Sequence, residues 1–511
     1  MTREILINTT SYETRIALVE NGQLAEFHLQ RPTEKALVGN IYRGRVVRVL
    51  PGMQAAFVDI GLERTGFLYV DDVYISNADL DARMLKRQHP NGKFDFPSSL
   101  PDTDINRSPG MSIENILYEG QAITIQVAKD TIGTKGARLT CHITLPCRNL
   151  VFMPFTEHIG ISRKIQGEET RKALKERIEA LRPAGAGFIV RTVAENATVE
   201  ELKADMEFLL LLWDKILDIS NKTPTAPRLL HEDLDITFRS VRDYFTEDVR
   251  HLVLDDQETY EQLLKFVHTF APKLQQRISY YQGESPLFVT HGIDVEISRA
   301  LEKKVWLRSG GYIIIETTEA LSVVDVNTGR YVGKNDLEET IFKTNMEAVK
   351  EIAYQLRLRN IGGIIIIDFI DMEEEEHREE LFTSFKEAVK KDKSRINILK
   401  LSEFGLVQMT RKRSCENLSQ MMCEPCHYCA GEGVLKSRRT ICYEIFRKIS
   451  RRAKRHNSTN ITLTVHPRIG DMLLKEEGPA TNELENDIGK RLSIVVSNKL
   501  HIEKYQINWD E

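Results

Sequence analysis

Long apolar runs are missing from these 511 residues: none approaches the about 20 that a membrane helix needs. A secretion signal is missing too, since MTREILINTTSYETR carries acidic residues early and has no basic-flanked apolar core. Cysteine is scarce, with seven in all. The expectation is a cytoplasmic protein whose thiols are free or bind metal rather than pair in disulfides. An excess of positive charge is also lacking. The formal net charge is −5, so any nucleic-acid surface has to come from local patches. What is present, 41% hydrophobic and 28% charged residues, is ordinary for a soluble globular chain. Its length exceeds one core and suggests three to five structural units.

The chemistry concentrates between Leu321 and Met372. LSVVDVNTG (Leu321 to Gly329) and GGIIIIDFIDM (Gly362 to Met372) are β-type runs that each stop at an aspartate. A long helical segment separates them, so the unit reads strand, helix, strand in a buried sheet. Side by side, such strands would bring Asp325 and Asp368 to one sheet edge. With Asn327 beside them, the paired carboxylates suit Mg²⁺, which takes hard oxygen ligands and keeps waters for a phosphate substrate. An Asp ending a strand is often only a turn or cap residue, and Asp371 reads that way.

Upstream, Glu4 to Glu20 opens as a β-hairpin. From Val38 the runs IYRGRVVRVLP, MQAAFVDIG and RTGFLYVDDV, broken at Pro51, Gly52 and Gly61, suit a small barrel. Arg43, Arg45 and Arg48 interleave with Phe57 and Phe67, where aromatics could stack bases and cations meet phosphates; the competing reading places both Phe in the core. Residues 75–110 interrupt the barrel with a Pro-, Asn-, Asp- and Ser-rich exposed loop, and the β pattern resumes through Lys129 and Lys135. A second module, Cys141 to Asp235, contains NLVFMP, a basic helix, GFIVRT and a helix capped by Thr198 and Glu201. Arg191 and Thr192 end the GFIVRT strand and could hold a terminal phosphate, or be an ordinary strand end.

Residues Ile236 to Trp306 read as mostly helical. The helix after Val326 is expected to begin at Asn335 with Glu338 as its capping partner, to bury Leu337, Ile341, Ala348, Ile352 and Leu356, and to stop at Gly362-Gly363. A further helix (Glu379 to Lys391) and the strand INILKL follow. The basic run Met409 to Arg413 could touch phosphates or be a solvated face.

CEPCHYCAGEG repeats Cys423, Cys426 and Cys429 at spacing three, a knuckle pattern for which zinc is the natural metal. Zinc takes four ligands: Cys423 and Cys415 complete the site, or two chains share one ion. The following helix, Lys436 to His456, sets Ile441, Ile445 and Ile449 on one face and nine Lys or Arg against one Glu on the others. That face suits RNA or a partner surface. A small α/β domain closes the chain.

Taken together, GNIYRGRV, PGMQAAFVDIG, TKGARLT, FIVRT, VVDVNTG, QLRLRNIGGIIIIDFIDM, GLVQMTRKR and the C-x-x-C knuckle resemble the ribonuclease E/G family across nearly the whole chain. The resemblance implies a multidomain α/β and β protein. A split RNase H-like fold (1–35 and 236–300) would hold an inserted S1 (OB-type) barrel (36–140) and a 5′-sensor (141–235). A DNase I-like catalytic domain (301–422), a zinc link (423–433) and a small dimerisation domain (434–511) would follow. The chain ends soon after that domain, as in members without a long scaffold tail. The family's residues match Asp325 and Asp368 for Mg²⁺, Asn327 for support, and Arg191, Thr192 and Val151 for the 5′-phosphate sensor. They match Phe57, Phe67, Lys129 and Lys135 for RNA, and Cys426 and Cys429 for a Zn²⁺ shared between chains, leaving Cys423 extra. Cys147 stands where some members have Gly. The implied activity is Mg²⁺-dependent endonucleolytic cleavage of single-stranded RNA, favouring 5′-monophosphate ends, in rRNA precursors and mRNA. The implied assembly is a homodimer, or a pair of dimers. The rival is a non-catalytic RNA-binding scaffold, which would have no need to keep Asp325, Asn327 and Asp368.

Overall fold

A computed structural model describes residues 2–33, 37–73, 112–130, 136–183, 185–222, 225–329, 337–390, 392–400, 402, 405–413, 416–456 and 458–510. Lys135, Asn335, Cys415 and the 75–110 insertion lie outside them. Among the described residues, no helix is long and apolar enough to cross a membrane. The chain divides into two compact units, Met1–Met421 and Met422–Glu511.

In the larger unit, one sheet is assembled from segments far apart in sequence. The hairpin strands Arg3–Thr9 and Thr14–Glu20 and the strand Gln23–Gln30 continue into Val249–Leu254 and Ile278–Tyr280, with Arg3–Thr9 pairing parallel to Val249–Leu254. Ile5, Ile7, Leu252 and Leu254 bury one side against helices Ile236–Tyr244 and Gln257–Phe270. The stretch expected to be mostly helix thus contains these two strands and, at its end, a third, Lys304–Trp306. Each is too short for periodicity to separate it from its helical flanks.

Between these halves sits a closed five-stranded barrel of the expected S1 type. Its ring runs Ile41–Leu50, Ala55–Asp59, Gly66–Tyr69, Arg138–Thr140, Ala122–Lys129 and back to Ile41–Leu50. Alternation decides its faces. Val46, Ala56, Val58, Leu68, Ile125, Val127 and Leu139 fill the interior, and the residues between them face out. Beyond it, a four-stranded sheet (Leu145–Pro146, Leu150–Met153, Ile159–Ile161, Gly187–Val190) packs with helices Glu168–Leu181 and Val199–Lys222. Thr198 and Glu201 exchange the two capping hydrogen bonds expected of them, at 2.9 and 3.2 Å.

The sheet holding both aspartate-terminated runs has the order Lys304–Trp306, Tyr312–Thr317, Leu321–Asn327, Gly363–Asp368, Leu406–Arg411, Ile396–Ile398. Only Leu321–Asn327 and Gly363–Asp368 are parallel, joined by helix Leu337–Leu358. That helix buries Ala348, Val349, Ile352 and Leu356 against Val324, Val326, Ile365 and Ile367. Two expectations need correction here. Leu337 is 74% exposed, because it starts the first turn before the helix reaches the sheet. The helix ends at Leu358 rather than at the paired glycines, with Asn360 taking the left-handed conformation (φ 50°). The Glu338 carboxylate also accepts the backbone N–H groups of Glu373 and Glu374, at the start of the next helix, and the cap expected of it with Asn335 lies outside the described residues.

The smaller unit has a three-stranded sheet, Arg491–Val496, Asn460–Val465, Gln506–Asp510, with helices Arg438–Ala453, Pro467–Lys475 and Gly478–Ile488. Ile441, Ile445 and Ile449 are buried as the helix spacing requires.

Candidate active site

The parallel register pairs Asp325 directly with Asp368, at the carboxyl ends of their strands. Ligands of open α/β sheets bind outside such strand ends. On the strand Leu321–Asn327, Ser322, Val324 and Val326 are buried, so Asp325 and Asn327 share the opposite, open face. The Asn327 side-chain amide donates to Asp325 Oδ2 at 2.7 Å. That bond fixes one carboxylate oxygen and leaves the other free. Asp368 keeps contact with solvent, yet local desolvation, then the charges of Asp325 and Asp371, push its carboxyl above the usual range. Among the described residues, neither Asp325 nor Asp368 has a Lys or Arg ion-pair partner, and no group of three or more His, Cys, Asp and Glu is arranged around a metal position. Two negative oxygen donors side by side without a counter-cation fit a hard divalent ion whose remaining ligands are water and substrate.

Sequence reading missed the residue that steadies this pair. Asn345, fully buried on helix Leu337–Leu358, donates to the Ile370 carbonyl at 2.8 Å and accepts the Ile370 N–H at 3.1 Å. It pins the chain two residues past Asp368. A mid-helix Asn facing a sheet was the available signal, because a buried amide has to find partners. Past Asn327, Gly329 has φ 61°, and a Cβ there would lie 2.5 Å from the Gly310 carbonyl oxygen. The Asn-Thr-Gly turn therefore packs flush against the neighbouring loop.

The basic run Met409 to Arg413 is not a phosphate-facing surface as a whole. Met409 and Arg411 point inward. Arg411 donates to Asp392 at 2.7 Å and to the Ile361 carbonyl at 3.0 Å, and Arg413 donates to the Gly362 carbonyl. Strand alternation sends every second residue of such a run to the core side.

On the barrel, Phe57 and Phe67 are register partners on the outer face and half-buried, with rings 5.5 Å apart at 72°. The core reading fails because the residues on either side of each are the ones that fill the interior. Further pairings extend a row: Arg48 opposite Phe57, Phe67 opposite Arg138, Arg138 opposite Lys129. Tyr69 joins it, its ring 4.5 Å from that of Phe67 and capped by the Arg138 guanidinium at 5.1 Å. Tyr69 and Arg138 were not picked out from sequence. Arg43 and Arg45 also point out of the barrel but are engaged elsewhere, donating to Ser220 and to the Ala226 carbonyl.

At the end of strand Gly187–Val190, Arg191 is half-buried and already committed. It donates to the Cys147 carbonyl and to Asp243 Oδ1, both at 2.7 Å. Thr192 is exposed, its hydroxyl 2.8 Å from that of Ser162, and Val151 lies opposite Ile189 on the neighbouring strand. Burial pushes the Asp243 carboxyl up, but hydrogen bonding to Arg242 and the charges of Arg242 and Arg191 outweigh it and hold it below its usual range. A cavity of about 240 Å³, lined by Cys147, Arg148, Phe208, Leu212, Arg242 and Phe266 among others, lies behind this loop; neither Asp325 nor Asp368 lines it. Asp325 is half-buried and Asp368 exposed, an arrangement within reach of a polymer substrate.

In the smaller unit, Cys426 is exposed and Cys429 half-buried. The knuckle turns through Ala430 (φ 53°), Gly431 (φ 90°) and Gly433 (φ 73°). The Gly433 N–H donates to Cys429 Sγ at 3.3 Å, and the backbone N–H groups of Cys429 and Tyr428 hold the Cys426 thiol below its usual range. Such bonds favour thiolates, the form that ligates zinc. Cys423 is exposed.

The Ribonuclease E/G family model matches residues 144–414, and that for an RNase E/G, Thioredoxin-like domain matches residues 425–510. Ribonuclease G of Haemophilus influenzae is 42% identical over 505 residues, covering 99% of each chain. Ribonuclease G of Escherichia coli (strain K12) is 40% identical over 507 residues, again covering 99% of each. Ribonuclease E of the same strain is 35% identical over 510 residues, which is 99% of this chain and 46% of that one. With family-matched sequence around the paired aspartates and whole-length likeness on either side, this chain belongs to the ribonuclease E/G family.

Proposed function

We propose that this protein is a divalent-cation-dependent endoribonuclease that cleaves single-stranded RNA, favours 5′-monophosphate ends, and leaves 3′-hydroxyl and 5′-phosphate products. Endoribonuclease activity in RNA processing follows from whole-length similarity to ribonuclease G. The metal, the end preference and the product chemistry are our reading, and rRNA precursors and mRNA are the substrates it implies. The observation that carries it is the Asp325–Asp368 register pair with Asn327 bonded to its first member.

Asp325 and Asp368 would hold Mg²⁺. When bound, the ion supplies positive charge at the scissile phosphate and makes a nearby water more acidic. Asn327 keeps Asp325 from rotating, and Asn345 keeps the segment after Asp368 in place, so the two carboxylates meet the substrate preorganised. Water adds at phosphorus, the P–O3′ bond breaks, and O3′ leaves as a hydroxyl after taking a proton. Phe57 and Phe67 stack bases while Lys129, and Lys135 outside the described residues, meet phosphates. Arg191 offers a 5′-phosphate the N–H groups that Asp243 and Cys147 leave unused, beside the Thr192 hydroxyl and Val151. Cys426 and Cys429 give two of the four ligands that zinc requires, so a second chain supplies the others and the protein is a homodimer. About one zinc per two chains is expected by metal analysis. Cys426→Ser should lose both zinc and dimer, and one zinc per chain retained in a monomer would refute the shared site.

The decisive experiment cleaves one short single-stranded RNA bearing either a 5′-monophosphate or a 5′-hydroxyl, with Mg²⁺ or with EDTA, beside Asp368→Asn. Metal-dependent cleavage, faster on the monophosphate and lost in the variant, is expected. Cleavage indifferent to the 5′ end removes the sensor from the reading. Binding without cleavage would make the protein an RNA scaffold.

A further inference from the structure

The edge of the catalytic sheet carries a second aromatic and cationic group, separate from the barrel. Register places Lys304 opposite Ile314, Ile314 opposite Asp325 and Asp325 opposite Asp368. One row along, Trp306 lies opposite Tyr312, and Tyr312 opposite Asn327. Residues joined by register share a face, so Lys304, Trp306 and Tyr312 lie on the same open face as the acid pair. Val305, between Lys304 and Trp306, packs into the core instead. Trp306 is 59% exposed. The Lys304 ammonium lies 3.9 Å from the Trp306 ring centroid and 3.6 Å from that of Tyr312, and the two rings meet edge to face at 5.5 Å. Among the described residues Lys304 has no ion pair, although its neighbour Lys303 pairs with Glu316. With strands spaced about 4.8 Å, Lys304 stands roughly 10 Å across the sheet from Asp325, and Trp306 the same from Asn327.

We propose that Trp306, Tyr312 and Lys304 form a stacking subsite that receives one nucleobase of the RNA strand close to the scissile bond. Trp306 offers the ring face, Tyr312 braces it, and Lys304 meets a phosphate oxygen from its position between the rings. This rests on the reading of Asp325 and Asp368 as the cleavage site. A negatively charged strand approaching two aspartates needs a cation and a grip on the same face, and base stacking is tolerant of sequence, as a processing enzyme requires. Trp306 is a substrate-binding residue here; it touches a base rather than the reacting phosphate. The bland alternative is that a Lys and a Trp merely guard an edge strand against pairing with other chains.

The test uses the full chain and a set of short single-stranded RNAs with one cleavage site, each lacking the base at one position near it. In the wild type, one position should lose about tenfold in kcat/KM when its base is removed. Trp306→Leu should lose about as much on intact RNA, chiefly through KM, and should become indifferent to base removal at that position. Trp306→Phe, which keeps a ring, should retain most of the sensitivity, and unchanged Tm values separate lost contact from lost fold. An identical base-removal profile in wild type and Trp306→Leu would overturn the subsite. Cleavage surviving in Asp368→Asn would instead overturn the reading beneath it, whatever Trp306 does.

Discussion

The paired aspartates and the Arg191 site treat charge in opposite ways. Asp325 and Asp368 are like charges brought together by strand register, with Asp371 nearby and no cation paired to either among the described residues. Arg191 is a cation whose opposite charge the chain already provides, as Asp243 at 2.7 Å. The first site leaves its electrostatic demand open, so it should bind a cation firmly and depend on it. The second is partly neutralised before any ligand arrives, by an Asp243 that it shares with Arg242. What it can add for a 5′-phosphate is directed hydrogen bonding more than net attraction. The metal should therefore be essential, and the 5′ end a modest preference.

The largest effect tests the first half of that contrast. Asp325→Asn or Asp368→Asn should lower kcat/KM by about a thousandfold or more, since charge stabilisation by an ion contributes several kcal/mol. In thermal melts, Mg²⁺ should raise the wild-type Tm and leave that of Asp368→Asn unmoved; equal metal shifts in both would place the ion elsewhere. Phe67→Ala comes next, with about a tenfold rise in KM on single-stranded RNA and little change in kcat. Arg191→Lys keeps the charge and loses the fork. It should reduce the monophosphate-to-hydroxyl rate ratio by about fivefold without slowing the hydroxyl substrate. A far larger loss would show that Arg191 keeps a strong net attraction for the phosphate despite Asp243. The smallest effect is on stability. Because the folded Asp243 carboxyl lies below its usual range, its contribution is complete above the unfolded value of about 3.9 and disappears as pH falls through the lower folded one. Asp243→Asn should therefore be less stable at neutral pH and lose less than the wild type below about pH 4, as followed by denaturant melts.

The two aspartates were legible because both runs are short, apolar and interrupted by a carboxylate at the same relative place, so pairing them in parallel needs no other information. Partners outside the local pattern were not legible. Nothing in VRHLVL says that it lies beside REILINT, because a strand's alternation records which face it buries and not which neighbour it has. Tyr312 and Trp306 were passed over for the same reason: only register reveals that they share a face with Asn327. The Met409 to Arg413 run was misread because charge was counted along the chain without assigning sides. Arg411 faces inward to Asp392, in an ion pair in which both partners are nearly fully buried. The knuckle was legible as spacing, whereas spacing does not say which ligands complete it, and Cys415 lies outside the described residues.

The sheet that begins at Arg3 closes only with Val249–Leu254 and Ile278–Tyr280. A ribosome making this protein releases its first hairpin roughly 240 residues before the parallel partner appears, a wait of roughly 12–50 s at ordinary elongation rates. Throughout that interval the edge of Arg3–Thr9 has no neighbour, while the barrel emerges and is free to fold behind it. Growing chains halted shortly before Val249 should therefore be the stage of synthesis most dependent on chaperones.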